Sequence, residues 1–162
     1  MRVALIAVFL TGCLGYAEVA TGPAVAVHDA AVDPEWALAT RTALAPRFDD
    51  GPTVGLGASA RTRLGESGFD LSAGPEICLM APGDASLVAL CPGASLLTVG
   101  YRDEGVSLGT LSPHLTATLA KRTDGPMGFF VGATVGYDVR VTPQSSSPWA
   151  GLTVGYGVVG AP

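Results

Sequence analysis

Residues able to do chemistry are few in this chain. It has two histidines and three cysteines, and nine basic residues against fourteen acidic ones. His114 follows Ser112 by two positions, and in an extended segment that spacing puts both side chains on one face. A serine nucleophile beside a histidine base is therefore the one nucleophilic arrangement on offer. No acid stands at a spacing that would orient the imidazole. Any strand brings residues i and i+2 together by default, so the pair is read as non-catalytic and the protein as not an enzyme. Cys78 and Cys91 flank Pro82-Gly83-Asp84, a strong turn sequence. A hairpin centred just after Asp84 sets residue 78 opposite residue 91. Directly opposed Cα atoms at a non-hydrogen-bonded site lie about 4.5 Å apart, which a disulfide can span. An even pair in an oxidising compartment closes readily. Two cysteines without a neighbouring histidine are too few ligands for a metal, and no cofactor is expected. Gly55-Leu56-Gly57 has no following helix that would cradle a phosphate. The formal charge of -5 argues against a nucleic-acid partner.

The elements that carry these residues read with period two almost throughout. From Trp36 to Leu44, Trp36, Leu38, Thr40, Thr42 and Leu44 face one way, and Ala37, Ala39, Arg41 and Ala43 the other. From Met127 to Val141, Met127, Phe129, Val131, Ala133, Val135, Tyr137, Val139 and Val141 form one apolar row. Gly128, Phe130, Gly132, Thr134, Gly136, Asp138 and Arg140 form the second. Turn sequences such as Asp49-Asp50-Gly51-Pro52 and Thr123-Asp124-Gly125-Pro126 separate the runs. They predict strands near 36–47, 53–64, 69–80, 86–101, 107–121, 127–141 and 149–159, with a weaker one around Val25 to Val27. Pro92 and Pro113 interrupt two of them, and a bulge or an unpaired stretch is expected at each. A bulge at Pro92 would also reconcile the change of parity between Leu90 and Leu97. Thr-Val-Gly-Tyr occurs at 98–101, 134–137 and 153–156, with a near copy at 53–56. It reads as one strand type reused within a single sheet.

The N-terminus carries an address. Met1 and Arg2 form a minimal basic region, followed by a continuous apolar run from Val3 to Leu10. Leu10-Thr11-Gly12-Cys13 resembles a bacterial lipobox, which implies cleavage before Cys13 and a lipid on its thiol. The alternative is cleavage after Ala17, at Gly15-Tyr16-Ala17. Leu14, rather than aspartate, follows Cys13 and favours the outer over the inner membrane. The expected organisation is a signal peptide over 1–12, an N-terminal segment over 13–34 with the weaker first strand, and a β-barrel over 35–160.

Each predicted strand has one apolar row and one row of small or charged residues. A soluble barrel buries the apolar row; a membrane barrel turns it to lipid and keeps a polar lumen. Three features favour the second. Charged residues make up only 14% of the chain, against about 25% in ordinary soluble proteins. The small-residue rows hold scattered charges, Arg61, Arg63, Asp70, Glu76, Asp138 and Arg140, able to pair across a narrow lumen. Trp36, Tyr101, Phe129 and Tyr137 stand on apolar rows, where interfacial girdles form.

Ser112-Pro113-His114-Leu115, Gly128 to Tyr137 and Pro148 to Gly157 resemble strands of small bacterial outer-membrane β-barrel proteins. In that family a proline-led strand often runs into alternating glycine and apolar residues and ends in Gly-Tyr. Cys91-Pro92, followed by a strand ending in Gly100-Tyr101, is similar to a variant with a cysteine-bearing hairpin. The resemblance covers about residues 35–160 and implies a fold, a membrane and no shared activity. Such barrels usually end on an aromatic residue, whereas this chain ends Val159-Gly160-Ala161-Pro162. The reading is therefore an all-β chain, a single antiparallel up-and-down barrel of about eight strands in the bacterial outer membrane. Its expected role is structural or interactive, with membrane lipid and an envelope protein as partners. Two alternatives stand beside it: a lipid-tethered soluble periplasmic barrel or sandwich that binds a ligand, and a barrel enzyme acting on lipid.

Overall fold

The period-two rows form a closed wall of long antiparallel strands. The computed structural model describes residues 13–28, 30–46, 51–66, 68–102, 105–108, 111–123, 125–139 and 147–160. Ten strands follow in order: β1 Cys13–His28, β2 Ala31–Pro46, β3 Thr53–Gly65, β4 Gly68–Pro82, β5 Ser86–Ser95, β6 Leu97–Arg102, β7 Gly105–Leu108, β8 Ser112–Arg122, β9 Met127–Asp138 and β10 Ser147–Gly160. β5 and β6 make one stave, and β7 and β8 make another, so the wall has eight staves. Each stave pairs with its sequence neighbours, and β1 pairs with β10 to complete the circle. Among the described residues every stave has a partner on both sides, and such closure is what lets a sheet span hydrocarbon.

Alternation sets what each face shows. In β2, Glu35, Ala37, Ala39, Arg41, Ala43 and Ala45 are buried, while Trp36, Leu38, Thr40, Thr42 and Leu44 are exposed. In β9, Gly128, Phe130, Gly132, Thr134 and Asp138 face inward, and Phe129, Val131, Ala133, Val135 and Tyr137 face outward. The apolar rows therefore lie outside and the small and charged rows inside, the inverted arrangement. In all three copies of Thr-Val-Gly-Tyr the threonine is buried and the tyrosine exposed.

Aromatic residues mark two levels on the outer wall. Trp36, Leu64, Phe69 and Tyr101 lie opposite one another in one row across β2, β3, β4 and β6, with the Phe69 and Tyr101 rings stacked at 6.2 Å. Phe129 and Tyr156 meet edge to face at 5.1 Å near the rim that carries the chain ends. Phe129 and Tyr137 lie eight residues apart on β9. A rise of ~3.4 Å per residue and a tilt of ~40° put the two levels roughly 20 Å apart, close to the ~25 Å apolar band of membrane barrels.

The structure departs from the sequence reading in two places. The wall begins well before residue 35: β1 is a full strand of 16 residues, paired along its whole length with β2. The second concerns the bulge. Each proline leaves an unpaired stretch on one side only: the β5–β8 register runs unbroken through Pro92 and Pro113, whereas the β4–β5 pairs skip Cys91 and Pro92 and the β8–β9 pairs begin at His114. On the other side, β4 pairs with Gly93 through Glu76 and with Leu97 through Ala73, so the extra residue falls between them. Leu96 and Leu97 consequently both point outward, each 65% exposed, and the Leu96 N–H donates to the Ala73 carbonyl at 3.0 Å.

Inside, glycine on β9 makes room for bulk on its neighbour. A Cβ at Gly136 would lie 2.4 Å from Cζ2 of the Trp149 indole. Gly136→Ala is thus expected to displace that ring and destabilise the barrel by about 1–3 kcal/mol. Chemical denaturation in detergent, followed by tryptophan emission, measures the loss; an unchanged midpoint would mean that the ring relocates freely.

Candidate functional site

Among the described residues the interior concentrates the polar chemistry, and it is built in two layers. Toward the chain ends the lumen is apolar. Leu14, Tyr16, Met80, Leu87, Phe130 and Val159 are all buried there, with Ala43, Ala45, Ala89 and Ala120 between them. The Tyr16 and Phe130 rings meet at 5.8 Å. Cys78 and Cys91 belong to this layer and are joined in a disulfide. The β4–β5 register sets them directly opposite each other, with Cα atoms 4.2 Å apart.

The rest of the lumen is a network of ion pairs and hydroxyls. Arg41 reaches from β2 across the barrel. Its Nε pairs with Glu18 of β1 at 2.6 Å, and its two terminal nitrogens donate to Thr118 of β8 and Thr153 of β10 at 3.2 and 3.0 Å. Gly132 gives the guanidinium its space, since a Cβ there would lie 2.8 Å from Nη2. Nearer the opposite rim, Arg63 of β3 serves three carboxylates. Glu35 lies at 3.6 Å, Asp70 at 3.3 Å, and Asp138 is closer still. Asp138 also accepts from the Ser112 hydroxyl at 2.6 Å and from the Trp149 indole N–H at 3.0 Å. Arg61 and Arg63 lie over the Trp149 ring at 4.3 and 4.8 Å, within cation–π range.

His114 stands between the two layers. Nδ1 lies 3.1 Å from the Ser112 carbonyl, and Nε2 lies 2.9 Å from Glu76 Oε1. A carbonyl only accepts, so in the contact with Ser112 the ring nitrogen is the donor. The Ser112 hydroxyl is turned to Asp138 and not to the imidazole. The pair seen in the sequence thus shares a face but not the hydrogen bond that would activate a nucleophile. Both side chains are buried in the lumen, away from lipid.

Of the expected lumen charges, Arg61, Arg63, Asp70, Glu76 and Asp138 all face inward and are buried. Arg140 lies outside the described residues, as does the segment before residue 13. Cys13 opens β1 opposite Pro46, as a free and partly exposed cysteine. Glu18, Glu35, Arg41 and Trp149 are central to the network and were not singled out from sequence. Parity would have found Arg41 and Glu35, which share the row of Ala37 and Ala39. It would also have found Trp149, which shares the row of Thr153. Glu76, Cys78 and Cys91 lie close enough together to hold an ion, but both sulfurs are spent in the disulfide.

Removing one partner of a sealed ion pair strands the other. Arg41→Met is expected to cost about 3–5 kcal/mol, and adding Glu18→Leu to recover much of that loss. Unfolding midpoints of the wild type, both single variants and the double variant give the coupling; strict additivity would mean that the pair contributes nothing as a unit.

The same closed eight-stave wall is found in solved bacterial outer-membrane proteins. Neisserial surface protein A superposes with a TM-score of 0.73 at 12% identity, over 90% of this chain and 96% of that one. The outer membrane enzyme PagL gives 0.66 at 12% identity, over 85% of this chain and 97% of that one. Ail, the attachment invasion locus protein of Yersinia pestis, gives 0.53 at 12% identity, over 91% and 97%. At such identities the likeness is one of fold. No protein-family model matches the sequence, and no curated protein matches it at a significant level. The chain has the all-β, antiparallel barrel fold of small outer-membrane proteins, with the inside-out residue distribution that a lipid surround requires.

Proposed function

We propose that this protein is an integral barrel of the bacterial outer membrane with a structural or interaction role and no catalytic one. The observation that carries this is the inversion of the wall. Leu38, Leu56, Ile77, Val131, Val135, Leu152 and Val154 are exposed on the outside, while charges are sealed within. Water on both faces would penalise the first set and leave the second without purpose. The two aromatic levels add a thickness that fits the bilayer.

The structural neighbours include an enzyme and an attachment protein by name, so the fold admits both roles. The choice here rests on this chain's own residues: the Ser112 and His114 pair is turned inward and its hydroxyl is committed to Asp138. An ion path is disfavoured by the apolar layer toward the chain ends, and barrels of this size are filled by their own side chains. What remains available to a partner is lipid along the wall and the rims for an envelope protein. At the rim away from the chain ends three connections are short, with β1 and β2 separated by residues 29 and 30 alone, while eight residues, 139–146, lie between β9 and β10.

Cleavage before Cys13 fits the fold better than cleavage after Ala17. The later cut would remove Leu14 and Tyr16, each at most 3% exposed, from the apolar layer. A lipid on Cys13 would then enter the leaflet at the rim shared by both ends of the chain. Mass spectrometry of the mature N-terminus is expected to find an acylated Cys13; an unmodified start at Glu18 would refute this reading.

The membrane assignment is tested with Cys13→Ser and a standard cleavable signal. The protein is expected to fractionate with outer membranes and to need detergent for extraction. Recovery in the soluble periplasmic fraction would overturn the proposal. In planar bilayers the purified barrel is expected to be silent, and reproducible conductance steps would show that the lumen opens.

A further inference from the structure

We infer that the Cys78–Cys91 bond is made before the barrel closes, so that the chain is the substrate of a disulfide-bearing oxidant while its lumen is still open. Both cysteines are 0% exposed and sit on the inward row of adjacent strands. Met80 and Leu87 cover them toward the chain ends. The Glu76–His114 pair covers them on the other side. Across the lumen the Tyr16 hydroxyl lies 3.5 Å from Cys91 Sγ, with the Phe130 ring behind it.

Disulfide formation by exchange needs a third sulfur beside the attacking thiolate. The thiolate of one cysteine attacks a sulfur of the oxidant and expels a thiolate, leaving a mixed disulfide. The thiolate of the second cysteine then attacks the first cysteine's sulfur, and the oxidant leaves as a dithiol. The chain gives up two electrons and two protons, and the oxidant gains them. Neither step fits inside a lumen filled by Met80, Leu87, Tyr16 and Phe130.

The bond is also local enough to form early. The two cysteines are 13 residues apart on one hairpin, whose turn is held by the Gly83 N–H donating to the Ser86 carbonyl at 2.8 Å. No strand besides β4 and β5 is required to bring them together. Hairpins form in about 1–10 μs and short loops cost little entropy to close, so the thiols meet long before eight staves do. If the protein is an outer-membrane barrel, this oxidation falls in the periplasm. That clause alone rests on the function proposed above; the order of events follows from burial.

The test uses the full mature chain with Cys13→Ser, which leaves two thiols. Protein refolded into detergent under reductant is separated from excess reductant and checked for the folded form by its migration on unheated gels. It is then challenged with diamide beside a urea-unfolded control. Thiols are counted by maleimide mass shift after a denaturing quench. The folded reduced barrel is expected to oxidise at least about a hundredfold more slowly than the control, because access waits on global opening. Comparable rates would overturn the inference. Should the reduced chain fail to fold, the oxidised barrel is challenged with a phosphine reductant instead. Survival of the bond until urea is added supports the order, and rapid reduction of the folded form refutes it. Neither readout depends on where in the cell the protein resides.

Discussion

A wall one residue thick gives every side chain only two places to go. In a closed barrel of eight staves one of those places is a narrow lumen, and what enters it pairs chiefly with what else enters it. That constraint explains the interior. Arg63 is surrounded by Glu35, Asp70 and Asp138, drawn from three other strands. Arg41 is held by Glu18 and two threonine hydroxyls from three more. Each guanidinium ties staves that are far apart in sequence, and the hydroxyl rows fill the gaps between them. Sealed pairs of this kind are poor sources of net stability. Their effect is on uniqueness, since a slipped strand would leave a charge facing nothing.

The same constraint gives the glycines of β9 their role. Gly132 and Gly136 lie on the inward row, and each is the empty half of a fit whose filled half is Arg41 or Trp149. At these positions bulk on one strand is met by space on another. The outer rows face no such demand. Lipid adapts to whatever apolar shape it meets, and between the two aromatic levels the outward residues are mostly leucine, valine, isoleucine, alanine and threonine.

Parity made most of this readable. The eight-stave count, the inward position of Arg61, Arg63, Asp70, Glu76 and Asp138, and the opposition of Cys78 and Cys91 all follow from period two plus turn sequences. The failures have physical causes. β1 carries Gly22 and Pro23 and has small residues on both faces, so its alternation is faint, and its length comes from pairing along β2. Pro92 looked like the bulge because it lacks an N–H. The β5–β8 ladder passes it in register and only the β4 side goes unpaired there, while the extra residue is accommodated at Leu96, where the backbone can still donate. Parity sets Trp149 on the inward row with Thr153, against the general expectation that tryptophan in a membrane wall lies at the interface. Here it is drawn inward by Asp138 and two guanidiniums, a partnership spread over strands that no local window spans.

The seam between β1 and β10 joins residues about as distant in sequence as the described chain allows, with Gly15 opposite Gly160. Along it, glycine or alanine faces its partner at most inward positions, and the backbones come so close that a Cβ at Gly22 or Gly157 would strike the facing carbonyl. Such an edge carries little information of its own about alignment. Two smooth edges could mate in more than one offset, or with the edge of another molecule. The apolar layer, together with Arg41 holding Glu18 of β1 and Thr153 of β10, supplies what the seam lacks. Leu14 and Tyr16 on one edge and Val159 on the other must arrive together in the same layer. The barrel therefore closes less like a zip, tooth by tooth, than like a lid that seats only when its latch is aligned.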